Sequence, residues 1–223
     1  MNFIDRTKKY LIVLDTETAN EIDCPLVYDM GWAVIDEEGN VYKTRSFVNR
    51  DIFFEEKELM TSAYYFEKLP LYYERIAKKE AKVAKWETIR KILREDMAEY
   101  GTNVVMAHNA RFDYKSATTT QRWLTKSKER YFFPYGTEIW DTLKMARDVI
   151  GKMPTYREYC EENGYICKNH QLKMTAEVLY RFISGEESFE EEHTGLADVM
   201  IEKEIFAYCL RQNVPMRKKL WED

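Results

Sequence analysis

Asp15-Thr16-Glu17 closes a short, continuous apolar run, Tyr10-Leu11-Ile12-Val13-Leu14. Such a run suits a strand covered on both faces, and residues i and i+2 of a strand point to the same side. Asp15 and Glu17 would then present two carboxylates together at the end of a buried strand. Like charges at that spacing repel unless something offsets them. A divalent cation that favours oxygen ligands, Mg²⁺ or Mn²⁺, does so. A turn cap at Asp15 with a solvated Glu17 is the plainer alternative.

Two further groups fit the same chemistry. His108-Asn109-Ala110-Arg111-Phe112-Asp113 follows a second apolar strand candidate, Val104–Ala107, and opens a helix. A carboxylate in that first turn lies near the end of the sheet, where open α/β sheets place their ligands. Acidic residues also favour helix N-termini for their own sake. His193-Thr194-Gly195-Leu196-Ala197-Asp198 leads into the last helical stretch. Five residues on one helix stand ~140° apart. His193 therefore reads as lying on the approach to the helix, with Asp198 one turn inside it. Thr194 is the expected N-cap, and Gly195 leaves room for a close approach.

Strands and helices must bring these groups together. After Tyr10–Leu14, strands are expected at Met30–Ile35 and Val41–Val48, joined by the turn Asp36-Glu37-Glu38-Gly39-Asn40. Trp86, Ile89, Leu93, Met97 and Tyr100 draw one face of a helix over about Lys78–Tyr100, capped by Gly101. Further helices are expected at Arg111–Lys126, Tyr156–Asn163, Gln171–Ile183 and Thr194–Arg211, and a fifth strand at Glu138–Trp140 with Asp141 capping the helix after it. The order predicts an α/β fold: a mixed five-stranded sheet, three antiparallel strands and then parallel ones, flanked by helices. Tyr64, Tyr65 and Phe66 form an aromatic cluster that could stack bases, with a core role the safer reading. The Asp51–Lys85 segment, rich in Tyr, Glu and Lys, has no assigned role. Arg217-Lys218-Lys219-Leu220-Trp221 reads as an exposed, frayed tail.

Bulk properties narrow the classes. The 223 residues suit one domain, residues 1–223, with a core over about 10–211 and a short tail at 212–223. Hydrophobic residues make up 45% and charged residues 33%, as in a soluble globular chain. A signal peptide and a membrane span are not expected, so the expected location is cytoplasmic. Cys24, Cys160, Cys167 and Cys209 form no C-x-x-C pair, which argues against a zinc knuckle. A net charge of −5 argues against coating long nucleic acid, but metal-binding carboxylates lower the formal charge and their cations then attract phosphates.

In combination, strand–D-x-E, strand–N-x-x-F-D–helix and H-x-x-x-x-D on a late helix resemble the DEDDh 3′→5′ exonucleases, a family that includes the proofreading subunit of bacterial replicative polymerase, RNase T and oligoribonuclease. The resemblance runs from about Tyr10 to Leu210. It implies a ribonuclease H-like fold and two-metal hydrolysis that releases 5′-mononucleotides from a 3′ end, most simply of single-stranded DNA. Asp15 and Glu17 match the first motif, Asp113 the second, and His193 and Asp198 the third. The four carboxylates are thus the expected ligands of two Mg²⁺ or Mn²⁺ ions, and His193 the general base. Two departures are Ala19-Asn20-Glu21 after Glu17-Thr18, where many members follow D-x-E-T-T with Gly, and Gly195 where many have Ala.

Four residues are candidate substrate contacts. Thr16 and Thr18 could touch the terminal nucleotide or form a turn. Asn109 could orient a metal ligand or meet substrate. His108 could shape the pocket or simply pack. The expected partner is a single-stranded 3′ end, with a DNA polymerase or replication protein as a possible second and no membrane. The alternatives are an RNA 3′→5′ exonuclease, and a non-catalytic or proofreading accessory subunit acting only with a polymerase partner, for which the basic tail is a candidate docking segment; a bacterial and a bacteriophage origin both stay open.

Overall fold

The computed structural model describes residues 4–63, 66–126 and 128–222. Six strands form one sheet: β1 (Tyr10–Ala19), β2 (Leu26–Asp36), β3 (Val41–Asn49), β4 (Lys82–Ala84), β5 (Val104–Ala107) and β6 (Glu138–Asp141). Their spatial order is β4-β3-β2-β1-β5-β6. β1, β2 and β3 are antiparallel, while β5 runs parallel to β1, β6 to β5 and β4 to β3. The helices are α1 (Arg50–Phe53), α2 (Lys57–Met60), α3 (Leu69–Ala77), α4 (Trp86–Tyr100), α5 (Arg111–Leu124), α6 (Thr142–Asp148), α7 (Pro154–Glu162), α8 (Ala176–Ser184) and α9 (Gly195–Arg211).

The continuous apolar runs are explained by burial on both faces. Ile12 and Leu14 of β1 pack with Trp86, Ile89, Leu93 and Met97 of α4. Leu11 and Val13 point the other way and pack with Val199, Ile205 and Phe206 of α9. Strand periodicity carries that second face onward to Asp15 and Glu17. The first two carboxylates therefore face the helix that carries Asp198. On β2, Ala33 and Ile35 also pack on the α9 side, and the same alternation places Asp29 and Gly31 there.

The expected sheet lacked one strand. Lys82–Ala84, expected inside a helix, instead pairs parallel to β3, Phe47 opposite Lys82. The helix starts at Trp86, whose backbone N–H donates to Asp51 at 2.8 Å, and the left-handed Gly101 ends it as expected. The helix expected from Gln171 starts at Ala176, because Ile166 and Leu172 bridge across a loop instead. Residues 51–85 pack Ile52, Phe53, Met60 and Tyr72 against Leu26, Tyr28 and Val48, covering one end of the antiparallel strands. Tyr64 and Tyr65 lie outside the described residues, and Phe66 is exposed rather than part of the core.

The C-terminal segment is not the frayed tail expected of it. Asp141 N–H donates to the Lys218 carbonyl and Leu220 N–H to the Ile139 carbonyl, each at 2.8 Å. Arg217 makes a two-pronged ion pair with Asp148 at 2.9 and 3.0 Å, and Leu220 is 3% exposed. The segment thus covers the outer edge of β6, where unpaired backbone groups would otherwise face solvent. Removing residues 216–223 should cost at least ~2 kcal/mol from Leu220 alone, lowering Tm by about 4–8 °C. A thermal melt unchanged by the truncation would contradict the fastening.

Candidate functional site

The first turn of α9 is pressed directly onto β1 and β2. A Cβ built on Gly31 would lie 2.2 Å from the Leu196 backbone N, and one on Gly195 would lie 2.6 Å from the Gly31 N and 3.0 Å from the Asp15 carbonyl oxygen. No side chain fits at either position. Thr194 occupies the N-cap position, but its side chain makes no capping hydrogen bond. Asp29 takes over that task, accepting from Gly195 N–H at 2.9 Å and from the Tyr72 hydroxyl at 2.8 Å. A carboxylate there also faces the positive end of the helix dipole.

This docking brings the third motif to the first. Glu17, His193 and Asp198 each offer one ligand atom, and the three atoms lie within 4.8 Å of one another. His193 has a left-handed backbone, φ 53°, so it turns on the approach to the helix, as the spacing predicted, with Asp198 in the first turn. Its Nδ1 lies 3.6 Å from a Glu191 carboxylate oxygen. Asp113, in the first turn of α5, accepts on one oxygen both the Thr16 backbone N–H at 3.1 Å and the Thr16 hydroxyl at 2.8 Å. The second motif is thereby tied to the residue between Asp15 and Glu17. The β1–β2 register slips between Glu17 and Thr18, a bulge of the kind that re-aims side chains beside a site.

The other expected contacts are placed as follows. The Thr16 hydroxyl is spent on Asp113 in mid-strand, not in a turn. Thr18 follows the bulge and is half-buried. Asn109 is exposed, with φ 64°, and its backbone N–H donates to Asp141 at 3.1 Å. Asp141 also accepts from Leu143 N–H at 2.9 Å, the expected helix cap. His108 Nε2 lies 2.8 Å from the Met174 carbonyl and Nδ1 3.1 Å from the Thr142 hydroxyl. A carbonyl only accepts, so Nε2 carries the proton, and both ring nitrogens are engaged within the protein.

Three acidic residues were missed by the sequence reading: Asp29, Glu191 and Glu202. Glu202 was within reach, because it follows Asp198 by four residues and so shares its helix face.

Burial dominates the electrostatics. It raises Asp15 well above the usual carboxylate range, with the charges of Asp113, Glu202, Asp198 and Glu17 adding to it. Burial, then Asp198 and Asp29, pushes Glu17 up to about 9. Burial and Glu191 push Asp198 to about 8. Asp113 reaches about 7, held down by the Thr16 hydrogen bonds. Asp15 Oδ2 and Asp198 Oδ1 are buried without a hydrogen-bond partner. Crowded carboxylates with orphaned oxygens are the donor set that hard divalent cations take, so the residues fit such ions. His193 is lowered by burial and by Lys68.

A cavity of about 1250 Å³ reaches this site at Asp15. Asp15, Asn109, Glu191 and Glu202 line it together with Arg147, Arg157, His170 and Lys173. A lining that holds both carboxylates and cationic side chains suits a ligand that is itself anionic and meets the carboxylates through metal.

No protein-family model matches the chain, and no curated protein matches it. Solved structures share its fold. The zinc-bound complex of Escherichia coli exonuclease I with single-stranded DNA superposes with a TM-score of 0.55 at 13% identity, covering 92% of this chain and 41% of that one. Exonuclease I from Methylocaldum szegediense gives 0.56 at 18% identity with the same coverages. Cell-death related nuclease 4 (CRN-4) gives 0.53 at 8%, covering 94% and 66%. The chain spans about two fifths of the length of these exonuclease I chains.

Two outcomes follow from the site's packing and charge. A methyl group at position 31 must separate β2 from α9, so Gly31→Ala should cost about 1–3 kcal/mol and displace Asp198 from Glu17. A variant as stable as the parent in denaturant titration would refute that contact. With chelator present, the raised carboxylates bind more protons folded than unfolded, so stability falls as pH rises through their folded values. Tm in chelator should therefore decline from pH 7 to pH 8.5, above the range where His108 and His193 titrate. A rise over that interval would contradict the buried charge cluster.

Proposed function

We propose that the chain is a single exonuclease domain that hydrolyses phosphodiester bonds from the 3′ end of single-stranded nucleic acid, DNA in the first instance, releasing 5′-mononucleotides. The observation that carries this reading is the convergence of Glu17, His193 and Asp198 beside Asp15 and Asp113. The shared fold with exonuclease I, one structure of which is a complex with single-stranded DNA, supports the substrate class.

In this reading Asp15, Glu17, Asp113 and Asp198 hold two divalent cations, Mg²⁺ or Mn²⁺. When bound, those ions supply Lewis acidity to the attacking water and to the leaving 3′ oxygen. His193 accepts the proton of the attacking water. Its lowered pKa keeps it neutral, and so able to accept, at neutral pH. As the water oxygen bonds to phosphorus, the bond from phosphorus to the 3′ oxygen breaks. Thr16 fixes the Asp113 carboxylate, and Arg147, Arg157 and Lys173 offer phosphate contacts along the cavity wall. Residues 217–220, the candidate docking segment of the accessory-subunit alternative, are bonded to β6 and Asp148.

The test uses 5′-labelled single-stranded DNA and RNA oligonucleotides with Mg²⁺, Mn²⁺ or chelator. The expected result is a metal-dependent ladder shortening from the 3′ end. Asp15→Asn and His193→Ala should each slow it on the order of 10²–10⁴-fold with unchanged circular dichroism. Cleavage that persists in chelator, or that is equally fast in Asp15→Asn, would overturn the proposal. Faster loss of RNA than of DNA would reassign the substrate.

A further inference from the structure

Residues 165–173 form a hairpin between α7 and α8. Ile166 and Leu172 bridge across it. Lys173 N–H donates to the Tyr165 carbonyl at 2.9 Å, Cys167 N–H to the Gln171 carbonyl at 2.8 Å, and His170 N–H to the Cys167 carbonyl at 2.9 Å. His170 takes the left-handed backbone that such a turn needs, φ 61°. Three side chains fix the base of the hairpin. Arg181 donates to the Tyr165 hydroxyl at 2.7 Å, the Tyr156 hydroxyl donates to the Lys173 carbonyl, and His108 Nε2 donates to the Met174 carbonyl at 2.8 Å. His108 directly follows β5, so the hairpin is held in register with the strand that leads to Asp113.

Lys173 and His170 of this hairpin line the cavity that reaches Asp15, together with Arg147 of α6 and Arg157 of α7. The three permanent cations are weakly compensated. Arg147 is exposed, and its neighbour Asp148 is taken by Arg217. Arg157 reaches Glu161 only at 4.0 Å, with both side chains more than half exposed, a pair of little strength. Lys173 Nζ lies 5.7 Å from the Tyr165 ring centre, a contact that leaves its N–H donors for an anion. The cavity, about 1250 Å³, is larger than the ~300–1000 Å³ usual for one small ligand. It therefore has room for more than a terminal nucleotide.

We propose that the 165–173 hairpin, Arg147 and Arg157 form a subsite for the internucleotide phosphates on the 5′ side of the scissile bond, one phosphate for each of Arg147, Arg157 and Lys173. The subsite makes the protein select for strand length. A dinucleotide has only its scissile phosphate and leaves the subsite empty, whereas a pentanucleotide fills it. The grip is on the backbone, so it is indifferent to base sequence.

This inference rests on the exonuclease reading above, and the test separates the two. Binding of 5′-labelled oligodeoxythymidylates, from dinucleotide to decanucleotide, is followed by fluorescence anisotropy in chelator, where the metal-dependent reaction does not run. Affinity should rise from the dinucleotide to the pentanucleotide and then level off. For the pentanucleotide, log affinity should fall with log salt at a slope of about −2, from ~0.7 per phosphate contact on a single strand. Arg147→Gln, Arg157→Gln and Lys173→Gln should each flatten that slope by ~0.7, and the triple variant should bind on the order of 10-fold more weakly at low salt. A triple variant of Arg6→Gln, Lys9→Gln and Lys91→Gln, which removes the same charge outside the cavity, should keep the parental slope. Parental affinity and slope in the cavity variant, or equal losses in the two triple variants, would overturn the subsite. The 3′ ladder of the parent in Mn²⁺ is read separately, and its absence would overturn the exonuclease reading itself.

Discussion

The close approach of the α9 N-terminus to β1 and β2 is the contact on which the site depends. Gly31 and Gly195 meet backbone to backbone, at distances where any Cβ would clash. Asp29 then receives the Gly195 N–H. Removing either glycine would move a helix that carries one metal-ligand candidate and lies just after the candidate base. The contact also explains Gly195 in place of the alanine common in the resembled family: here β2 presents its own backbone, and a methyl group has nowhere to go.

Asp29 links this contact to the segment with no sequence-level assignment. Tyr72 of α3 donates to the same Asp29 oxygen as Gly195, and Lys68 just before α3 donates to the Glu192 carbonyl at 2.8 Å. Residues 51–85 therefore brace the approach to α9 as well as covering Tyr28 and Val48. Behind the site, both faces of β1 are packed by helices. That rigidity lets the sheet hold several carboxylates closer than their charges favour, since the strands cannot splay to relieve the repulsion.

Legibility in the sequence followed the range of the interactions. The apolar run ending in Asp15-Thr16-Glu17, the strand before Asp113 and the His193–Asp198 spacing are local patterns; the structure brings Glu17, His193 and Asp198 within 4.8 Å of one another and ties Asp113 to Thr16, between Asp15 and Glu17. β4 escaped because three residues, Lys82-Val83-Ala84, give too short a pattern to oppose the helical one that follows. Asp29 escaped because it sits inside a strand buried along its whole length, while its partner Gly195 is 166 residues away. Thr194 looked like the cap by residue type, and only the fold shows that a distant carboxylate takes the bond. The tail misled for a related reason: basic residues near a chain end suggest solvent, but Asp148 and the β6 edge lie waiting for them.

The pairing of Lys218 and Leu220 with β6 has a consequence for synthesis. β6 leaves the ribosome well before the residues that cover it, so its outer backbone groups stay open while α6 to α9 are being made. An uncovered strand edge recruits other strands, including those of neighbouring nascent chains. The Asp148–Arg217 pair and the Leu220 anchor are thus the late clasp of the fold, ending the interval in which a growing chain is open to mispairing.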